Sequence, residues 1–367
     1  MIKITIVAGA RPNFMKIAPI IHAIEASKID GNPIDYRLVH TGQHYDKQMS
    51  GNFFAQLEIP EPDINLHAGG GSQAEQTAAI MVGFEKELLT NPTDLVLVVG
   101  DVTSTMACAI TAQKLKTKVA HVEAGIRSGD WSMPEEINRL VTDSITNYFY
   151  TTSEIANQNL LKSGISEDRI IFVGNTMIDT LLKQRSRFIK PVVWDERGLV
   201  QSEYIVMTLH RPANVDEESN LRKLIETIVE SSHDIPLIFP VHPRTAKIIQ
   251  AIGVRAPNLI LIDPLSYLEF NYLVSNAKAV ITDSGGITEE TTVLGIPCLT
   301  LRDNTERPET VSLGTNELIG TNPRAIPPAL EKVFSGMWKK GTQIPLWDGN
   351  TSKRIVTHIL TIKSVND

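Results

Sequence analysis

The sequence has little cysteine, no excess of basic residues and no long apolar run, and each shortage excludes a class of protein. Its two cysteines, Cys108 and Cys298, lie among apolar neighbours, which indicates buried thiols of a cytosolic protein and not a disulfide framework. No segment approaches the roughly 18 consecutive apolar residues that a membrane-spanning helix needs. The short apolar run before Gly9 is typical of a first strand and not of an export signal. We therefore expect a cytoplasmic protein that is not bound to a membrane.

Basic residues are in the minority, since 35 lysines and arginines stand against 42 aspartates and glutamates, a net charge of −7. Because nucleic-acid phosphates are bound by an excess of Lys and Arg, this balance argues against nonspecific nucleic-acid binding. What the chain does have is 42% hydrophobic residues in 367 positions, which is ample for two α/β domains.

Short apolar runs alternate with longer segments of helical period, the pattern of β-α units around a parallel sheet. The first series predicts strands at 2–8, 35–41, 94–100, 117–122, 147–151 and 169–173, with helices at 15–27, 45–57, 73–90, 103–115, 134–146 and 153–163. The second predicts strands at 204–209, 236–240, 259–262, 278–282 and 297–301, with helices at 219–232, 244–253, 265–276, 286–294 and 323–335. We expect an α/β fold of two Rossmann-like, doubly wound domains with parallel sheets, facing a central cleft.

The pattern restarts after Gly174, which predicts an N-terminal domain over 1–174 and a C-terminal domain over 175–351. An amphipathic helix at 352–366 is expected to pack back on the first domain, and 188–202 is expected to be a loop. Ligands of open α/β sheets bind beyond the carboxyl ends of the strands, so polar residues at these ends should face the cleft.

A buried strand runs into Asp283-Ser284-Gly285-Gly286 and then into a helix. Such a turn brings free backbone N–H groups and the positive end of the helix dipole to one point, which suits a diphosphate. Glu290 follows about one and a half turns into the helix, where a carboxylate can accept hydrogen bonds from the hydroxyls of a ribose. The alternative is a tight turn in which Asp283 or Ser284 only caps the helix.

Three carboxylates, Asp101, Glu123 and Glu135, are expected at the mouth of the first sheet. Crowded carboxylates raise one another's pKa, which lets an enzyme keep an acid and a base at neutral pH. Asp101 can instead be a helix N-cap, and Glu135 a first-turn residue favoured by the helix dipole. Glu123 ends an apolar strand and is the hardest of the three to explain structurally.

Cations follow the first strand of each domain. Arg11, with Lys16 a turn later, can reach a phosphate, or Arg11 can pair with a local carboxylate. His210 and Arg211 can meet a phosphate or protonate a leaving oxygen, although a lone histidine is more often structural. His242 has the corresponding position one β-α unit later. It can be a second cleft residue or only a turn residue.

His121 lies two residues before Glu123, so the two side chains would share one face of a strand. We find no HExxH motif, no cysteine pair and no further histidine nearby, so the sequence predicts no metal site. The expected arrangement is packing for His121 and chemistry for Glu123.

Taken in order, these clusters closely resemble the non-hydrolysing UDP-N-acetylglucosamine 2-epimerase family, whose fold is that of GT-B glycosyltransferases. The resemblance runs from 9–12 to 305–309, and its most specific segments are 121–130 and 283–290. It implies that UDP-N-acetylglucosamine and UDP-N-acetylmannosamine interconvert by elimination and re-addition of UDP with inversion at C2, without a redox cofactor or a required metal. It further implies a cytoplasmic homodimer that makes precursors of surface polysaccharides.

The resemblance also implies a role for each cluster. It gives as catalytic residues Asp101, Glu123, Glu135 and His210, and as UDP contacts Arg11, Phe270, Ser284, Gly285, Gly286 and Glu290. Further substrate contacts are Lys16, Arg139, Arg211, Glu306 and Arg307, and a regulatory site for a second, activating UDP-sugar would include Gln43, His44, Glu136 and His242. Which carboxylate is the base is left open.

Some positions depart from the family pattern. Asn13 replaces a glutamate of many members, and 67–72 lacks the arginine that completes the regulatory site in some bacterial members. The motifs also resemble relatives that act on UDP-2,3-diacetamido-glucuronate. A hydrolysing 2-epimerase, a GT-B glycosyltransferase and a nucleotide-sugar sensor are further alternatives. Three carboxylates favour proton transfer at the sugar, because simple transfer to an acceptor needs only one base.

Overall fold

The computed structural model describes residues 1–43, 54–215, 217–241 and 243–362. The chain divides into two compact units, the first formed by Met1–Leu182 with Pro345–Asp367 and the second by Lys183–Ile344. None of the helices in these described ranges is both long and apolar enough to cross a membrane.

Unit 1 contains a seven-stranded sheet in the order β3-β2-β1-β4-β5-β6-β7, with every pair parallel. Its strands are β1 (Ile2–Ala8), β2 (Ile34–His40), β3 (Ile64–Asn65), β4 (Leu95–Val99), β5 (Lys118–Ala124), β6 (Tyr148–Thr151) and β7 (Ile170–Phe172). Its helices, up to the passage into unit 2, are α1 (Arg11–Ile29), α2 (Gln73–Thr90), α3 (Thr103–Lys114), α4 (Pro134–Ile145), α5 (Glu154–Lys162) and α6 (Thr176–Gln184). The sequence did not predict β3, because a two-residue strand carries no periodic signal.

Unit 2 contains a six-stranded parallel sheet in the order β10-β9-β8-β11-β12-β13. Its strands are β8 (Ile205–Thr208), β9 (Leu237–Pro240), β10 (Leu259–Ile262), β11 (Ala279–Thr282), β12 (Cys298–Thr300) and β13 (Asn316–Leu318). Its helices are α7 (Val192–Glu196), α8 (Pro212–Val215), α9 (Glu218–Ser231), α10 (Pro243–Ala251), α11 (Tyr267–Asn276), α12 (Gly285–Leu294), α13 (Pro308–Ser312) and α14 (Ile326–Phe334). The predicted α/β class with two parallel sheets is confirmed.

The prediction of a loop over 188–202 is wrong for Val192–Glu196, which form α7, while the other residues of this segment lie outside helices and strands. Val193 is buried there, and the Trp194 ring meets the rings of Tyr204 and Tyr272 edge to face at centroid distances of 5.6 and 5.3 Å. Tertiary packing of these rings stabilises a helix too short to show a helical period. Most of the helix predicted at 45–57 lies outside the described residues, of which 54–57 are helical.

The last helix, α15 (Thr351–Ile359), belongs to unit 1 and packs against α1. The buried Asp179 carboxylate accepts hydrogen bonds from the backbone N–H groups of Thr351 and Ser352 at 3.1 and 2.7 Å, and so caps the helix. The Tyr150 hydroxyl lies 2.9 Å from Nδ1 of His358 and ties the helix to β6.

Each sheet has one point at which the strand order reverses, between β1 and β4 in unit 1 and between β8 and β11 in unit 2. Chain connections leave such a point in opposite directions and open a crevice beyond the carboxyl ends of the strands, where ligands of α/β sheets bind. A ligand site is therefore expected among the residues that follow these four strands.

Candidate active site

Glu123 lies in a β-bulge near the end of β5, where the pairing with β6 shifts register between Val122 and Ala124. Its φ of 71° is in the left-handed region, which costs a non-glycine residue about 1–2 kcal/mol. The side chain is 4% exposed, and its Oε2 forms an ion pair with Nζ of Lys16 on α1. A strained backbone that points a buried carboxylate at a cation is a frequent feature of functional sites.

The Lys16–Glu123 pair lies against the turn that follows β4. Gly100 has a φ of 68°, and a Cβ added there would lie 3.1 Å from Nζ of Lys16 and 3.5 Å from Oε2 of Glu123. The buried Asn13 amide braces this turn, because Nδ2 donates to the Val99 carbonyl and Oδ1 accepts from the N–H of Gly9. The ends of β1, β4 and β5 thus form one cluster, although sequence analysis treated Asn13 only as a departure from the family.

Asp101 follows Gly100 in the loop after β4, and Arg139 of α4 holds its carboxylate. Nε and Nη2 of Arg139 donate to Oδ2 of Asp101 at 3.0 and 2.6 Å, and Nη1 donates to Oε2 of Glu136 at 2.6 Å. The backbone N–H groups of Ser128 and Gly129 also donate to Glu136. Burial alone would raise the pKa of Glu136, but these hydrogen bonds outweigh it and lower the pKa.

Glu135 lies in the first turn of α4 and is partly exposed, and within the described part of the chain no hydrogen bond or ion pair of its carboxylate is found. The three predicted carboxylates therefore do not share one setting. Asp101 and Glu123 each form an ion pair with a cation, because α1 and α4 bring Lys16 and Arg139 to the strand ends. Glu135 is the one of the three that has its charge available to a ligand.

In unit 2, the buried Asp283 after β11 organises the loop after β8. It accepts hydrogen bonds from the N–H of Arg211 at 2.9 Å and from Nδ2 of Asn214 at 3.0 Å, and it lies 2.7 Å from Nδ1 of His210. Burial alone would raise the pKa of Asp283, but the contacts with His210, Arg211 and Asn214 lower it. The side chain of His210 remains 62% exposed, although Asp283 contacts its Nδ1.

Helix α12 begins directly after Ser284, whose hydroxyl makes no capping hydrogen bond among the described residues. The Asp283 carboxylate is engaged by the loop after β8. The alternative interpretation, in which the side chain of Asp283 or Ser284 only caps the helix, therefore does not hold within the described residues. A Cβ added at Gly285 would lie 3.7 Å from Nη1 of Arg302 and from Oε2 of Glu306. The N–H groups at this helix start thus lie beside a buried arginine, an arrangement that suits an anion.

Arg302 is held by Glu306 through two hydrogen bonds of 2.8 Å, and Nη2 of Arg211 lies 3.6 Å from the same carboxylate. Arg307 forms an ion pair with Glu289 on α12. Of the residues predicted here, Arg211, Glu306 and Arg307 therefore lie around the start of α12.

Glu290 lies further along α12, 4% exposed, and the Tyr267 hydroxyl donates to its Oε1 at 2.9 Å. Burial raises the pKa of Glu290 to about 7, more than the hydrogen bond from Tyr267 lowers it. Phe270, a predicted UDP contact, is partly buried on α11, one turn after Tyr267.

The predicted regulatory residues are only partly described. Oε1 of Gln43 accepts hydrogen bonds from the N–H and hydroxyl of Ser104 at 3.2 and 2.8 Å, at the start of α3. Glu136 is engaged by Arg139 as above, whereas His44 and His242 lie outside the described residues. A regulatory role for these residues stays a prediction, as does a phosphate contact of the exposed Arg11.

Sequence reasoning missed Arg302 and Asp143, which the structure places in the two clusters. A signal for Asp143 was present in α4, because this helix turns polar residues inward and leaves Ile137 45% exposed. Its buried residues are Glu136, Asn138, Arg139, Thr142 and Asp143. A helix whose buried face is polar indicates a functional or hydrogen-bonded surface.

The chain is similar to known proteins over nearly its whole length. The family model described as UDP-N-acetylglucosamine 2-epimerase matches residues 27–360. The chain is 41% identical to the UDP-N-acetylglucosamine 2-epimerase of Methanocaldococcus jannaschii, covering 98% of this chain and 99% of that one. It is 38% identical to the UDP-2,3-diacetamido-2,3-dideoxy-D-glucuronate 2-epimerase of Pseudomonas aeruginosa, covering 87% and 88%. The crystal structure of the M. jannaschii enzyme in complex with UDP-GlcNAc and UDP matches with a TM-score of 0.86, 40% identity and 98% and 99% coverage. The chain therefore belongs to the UDP-N-acetylglucosamine 2-epimerase family, as its motifs predicted.

Proposed function

We propose that this protein interconverts UDP-N-acetylglucosamine and UDP-N-acetylmannosamine by elimination and re-addition of UDP. The observation that carries the proposal is the Lys16–Glu123 pair at the strained bulge of β5, with Asp101 and Glu135 on the neighbouring loop and helix. A buried carboxylate held in this way is suited to proton transfer. A protein that only binds a nucleotide-sugar would not need such a group.

Unit 2 supplies the groups that suit the nucleotide half of the substrate. Among the described residues the start of α12 has no side-chain cap and so suits the diphosphate, and the exposed ring of His210 adds a polar group from the β8 loop. These groups stabilise the negative charge that develops on UDP as it leaves. Glu290, beside Tyr267 on the same helix, is assigned to the ribose hydroxyls.

Unit 1 supplies the groups for the sugar. In the forward direction a carboxylate takes the proton from C2, the C1–O bond breaks, and its electron pair leaves with UDP while a C1=C2 double bond forms. In the return step a proton reaches C2 from the opposite face, and the UDP oxygen bonds to C1 again. Inversion therefore needs proton-transfer groups on both faces, and we assign them to the set Asp101, Glu123 and Glu135.

The test is NMR of UDP-N-acetylglucosamine incubated with the protein in deuterated water. We expect deuterium at C2 and an equilibrium mixture with UDP-N-acetylmannosamine. Rapid release of free sugar and UDP would instead identify a hydrolysing enzyme, and turnover only with an added acceptor would identify a glycosyltransferase. Substitution of Glu123 by Gln should lower the rate of exchange at C2 by about 100-fold or more, because it removes a group that acts in the transition state.

UDP-2,3-diacetamido-glucuronate is the second candidate substrate, favoured by the 38% identity to the P. aeruginosa enzyme. The two sugars differ at C3, which carries a hydroxyl or an acetamido group, and at C6, which carries a hydroxyl or a carboxylate. Measuring kcat/KM for both decides between them, and a higher value for the glucuronate would replace the first assignment.

We also propose that the protein is a homodimer. On helix α2, the apolar side chains of Val82 and Leu89 are 54% and 65% exposed, with the charged Glu85 and Lys86 between them along the same face. Large exposed apolar side chains within a charged surround are typical of a surface that a second subunit covers.

A further inference from the structure

His121 is fully buried on β5, two residues before Glu123, and both of its ring nitrogens have partners. Nε2 lies 2.8 Å from the carbonyl oxygen of Gly100, and Nδ1 lies 2.7 Å from Oδ1 of Asp143 on α4. Because a carbonyl oxygen only accepts hydrogen bonds, Nε2 donates to Gly100. The ring therefore joins the turn after β4 to helix α4.

Asp143 extends this connection to the far side of Glu123. Its Oδ2 accepts a hydrogen bond from the N–H of Gly125 at 3.1 Å and forms an ion pair of 2.6 Å with Nη1 of Arg127. One buried pair, Asp143 and His121, thus fixes Gly100 on one side of the Glu123 bulge and Gly125 on the other.

The segments fixed in this way are those with unusual backbone conformations. Gly100, Glu123 and Gly125 have φ angles of 68°, 71° and 78°. Gly125 is confined further, because a Cβ there would lie 2.4 Å from the carbonyl oxygen of Ala156. A left-handed conformation at a residue that is not glycine persists only where the surroundings determine it. Hydrogen bonds on both sides of Glu123 meet that requirement.

We propose that the His121–Asp143 pair is a positioning device that keeps Glu123 in its left-handed conformation, directed at Lys16, and fixes the turn that carries Asp101. Neither residue touches the substrate. The predicted changes in rate rest on the proposed epimerase function. The predicted change in backbone conformation at Glu123 does not, because a crystal structure measures it without turnover.

Two substitutions of His121 separate its two contacts. In His121→Asn the amide lies near the Nδ1 position and keeps the contact with Asp143, whereas in His121→Gln it lies near Nε2 and keeps the contact with Gly100. His121→Asn releases Gly100, whereas His121→Gln frees Asp143 from the ring while Asp143 keeps its hydrogen bond from Gly125. We expect kcat to fall about 10- to 100-fold in both, because a misplacement of about 1 Å of a reacting group has effects of this size. KM should change less than about 3-fold, because the UDP groups of unit 2 are untouched.

The matched control is Tyr150→Phe, which removes a partly buried hydrogen bond between a buried tyrosine and a histidine of unit 1, but one that holds α15. Its kcat should equal that of the unchanged protein at a temperature at which all variants are folded. A loss of kcat in Tyr150→Phe as large as in His121→Asn would overturn the proposal, since any buried hydrogen bond would then have the same effect.

A double-mutant cycle with Glu123→Gln tests whether His121 acts through Glu123. In the Glu123→Gln background, His121→Asn should change the residual rate less than about 3-fold, because the positioned group is already lost. Additive losses would overturn the proposal.

Crystal structures of the two His121 variants complete the test and do not depend on activity. We expect residue 123 to leave the left-handed region, or Glu123 to separate from Lys16, in at least one variant. An unchanged conformation and contact in both would falsify the inference. A protein that fails to epimerise either UDP-sugar would contradict the proposed function alone, since the variant structures would still decide about the positioning device.

Discussion

We expect single substitutions at Lys16 and Glu123 to have the largest effects on stability and activity. Glu123 is 4% exposed, and Lys16→Gln leaves its carboxylate without the neighbouring cation. We expect a loss of about 3 kcal/mol in the free energy of unfolding, the lower end of the range for breaking a buried ion pair. Urea unfolding measures this loss.

The partner variant separates charge from chemistry. Lys16→Gln combined with Glu123→Gln removes both charges and should recover most of the stability, because no buried charge is left uncompensated. Epimerisation should stay as low as in Glu123→Gln alone. If the double variant regained activity, the carboxylate of Glu123 would have no part in proton transfer.

Glu290 gives the molecule a pH dependence whose sign follows from burial. Its pKa of about 7 in the folded protein lies above the ordinary value of 4.5. A raised pKa contributes stability that is fully present below about pH 4.5 and is lost as the pH rises through 7, in total about 3 kcal/mol. Glu290→Gln, which has no charge to bury, should therefore gain stability relative to the unchanged protein between pH 5 and pH 8. Unfolding by urea at several pH values measures the difference, and parallel stability curves for the two proteins would contradict it.

At the scale of elements, the start of α12 can be tested without disturbing the fold. Within the described residues nothing lies within 4 Å of a Cβ added at Gly286, and alanine is favoured over glycine in a helix by up to about 1 kcal/mol. Gly286→Ala should therefore keep or raise stability, yet weaken UDP binding by blocking the approach of the diphosphate. Isothermal titration calorimetry with UDP measures the affinity.

The control for this helix is Gly295, its C-cap residue, with a φ of 75°. Gly295→Ala should lower stability by about 1 kcal/mol, because alanine is strained in the left-handed region. UDP affinity should not change. If Gly286→Ala bound UDP as tightly as the unchanged protein, the start of α12 would not hold the diphosphate.

The elements themselves were largely predictable from the sequence where they are long or apolar. Helix α2 was predicted at 73–90 and found at Gln73–Thr90, because Ser72 and Glu75 form a capping box that marks its start. Strand β13 and helix α7 were not predicted. β13 is short and polar, and α7 is held by ring contacts to residues distant in the sequence, so neither carries a local signal.

At the scale of the whole molecule, the proposed homodimer has a direct test. Val82→Glu combined with Leu89→Glu places charges on the exposed face of α2, which should be harmless in a monomer and disruptive in a contact between subunits. Light scattering after size-exclusion chromatography should give twice the chain mass for the unchanged protein and the chain mass for the variant. A dimer unaffected by both charges would place the interface elsewhere.

The sequence by itself determined the α/β class, the two parallel sheets and the family, and it indicated most residues of the candidate site, because apolar periodicity and strand-end motifs are local. Only the tertiary structure decided which charges meet. Lys16 pairs with Glu123, Arg139 with Asp101 and His121 with Asp143, and each pair joins elements that the strand order β1-β4-β5 makes neighbours. Strand order rests on contacts between distant segments, which leave no period in the chain. The sequence therefore indicated three carboxylates at the mouth of the first sheet, and the fold decided their partners: Lys16 for Glu123 and Arg139 for Asp101, while Glu135 stays partly exposed.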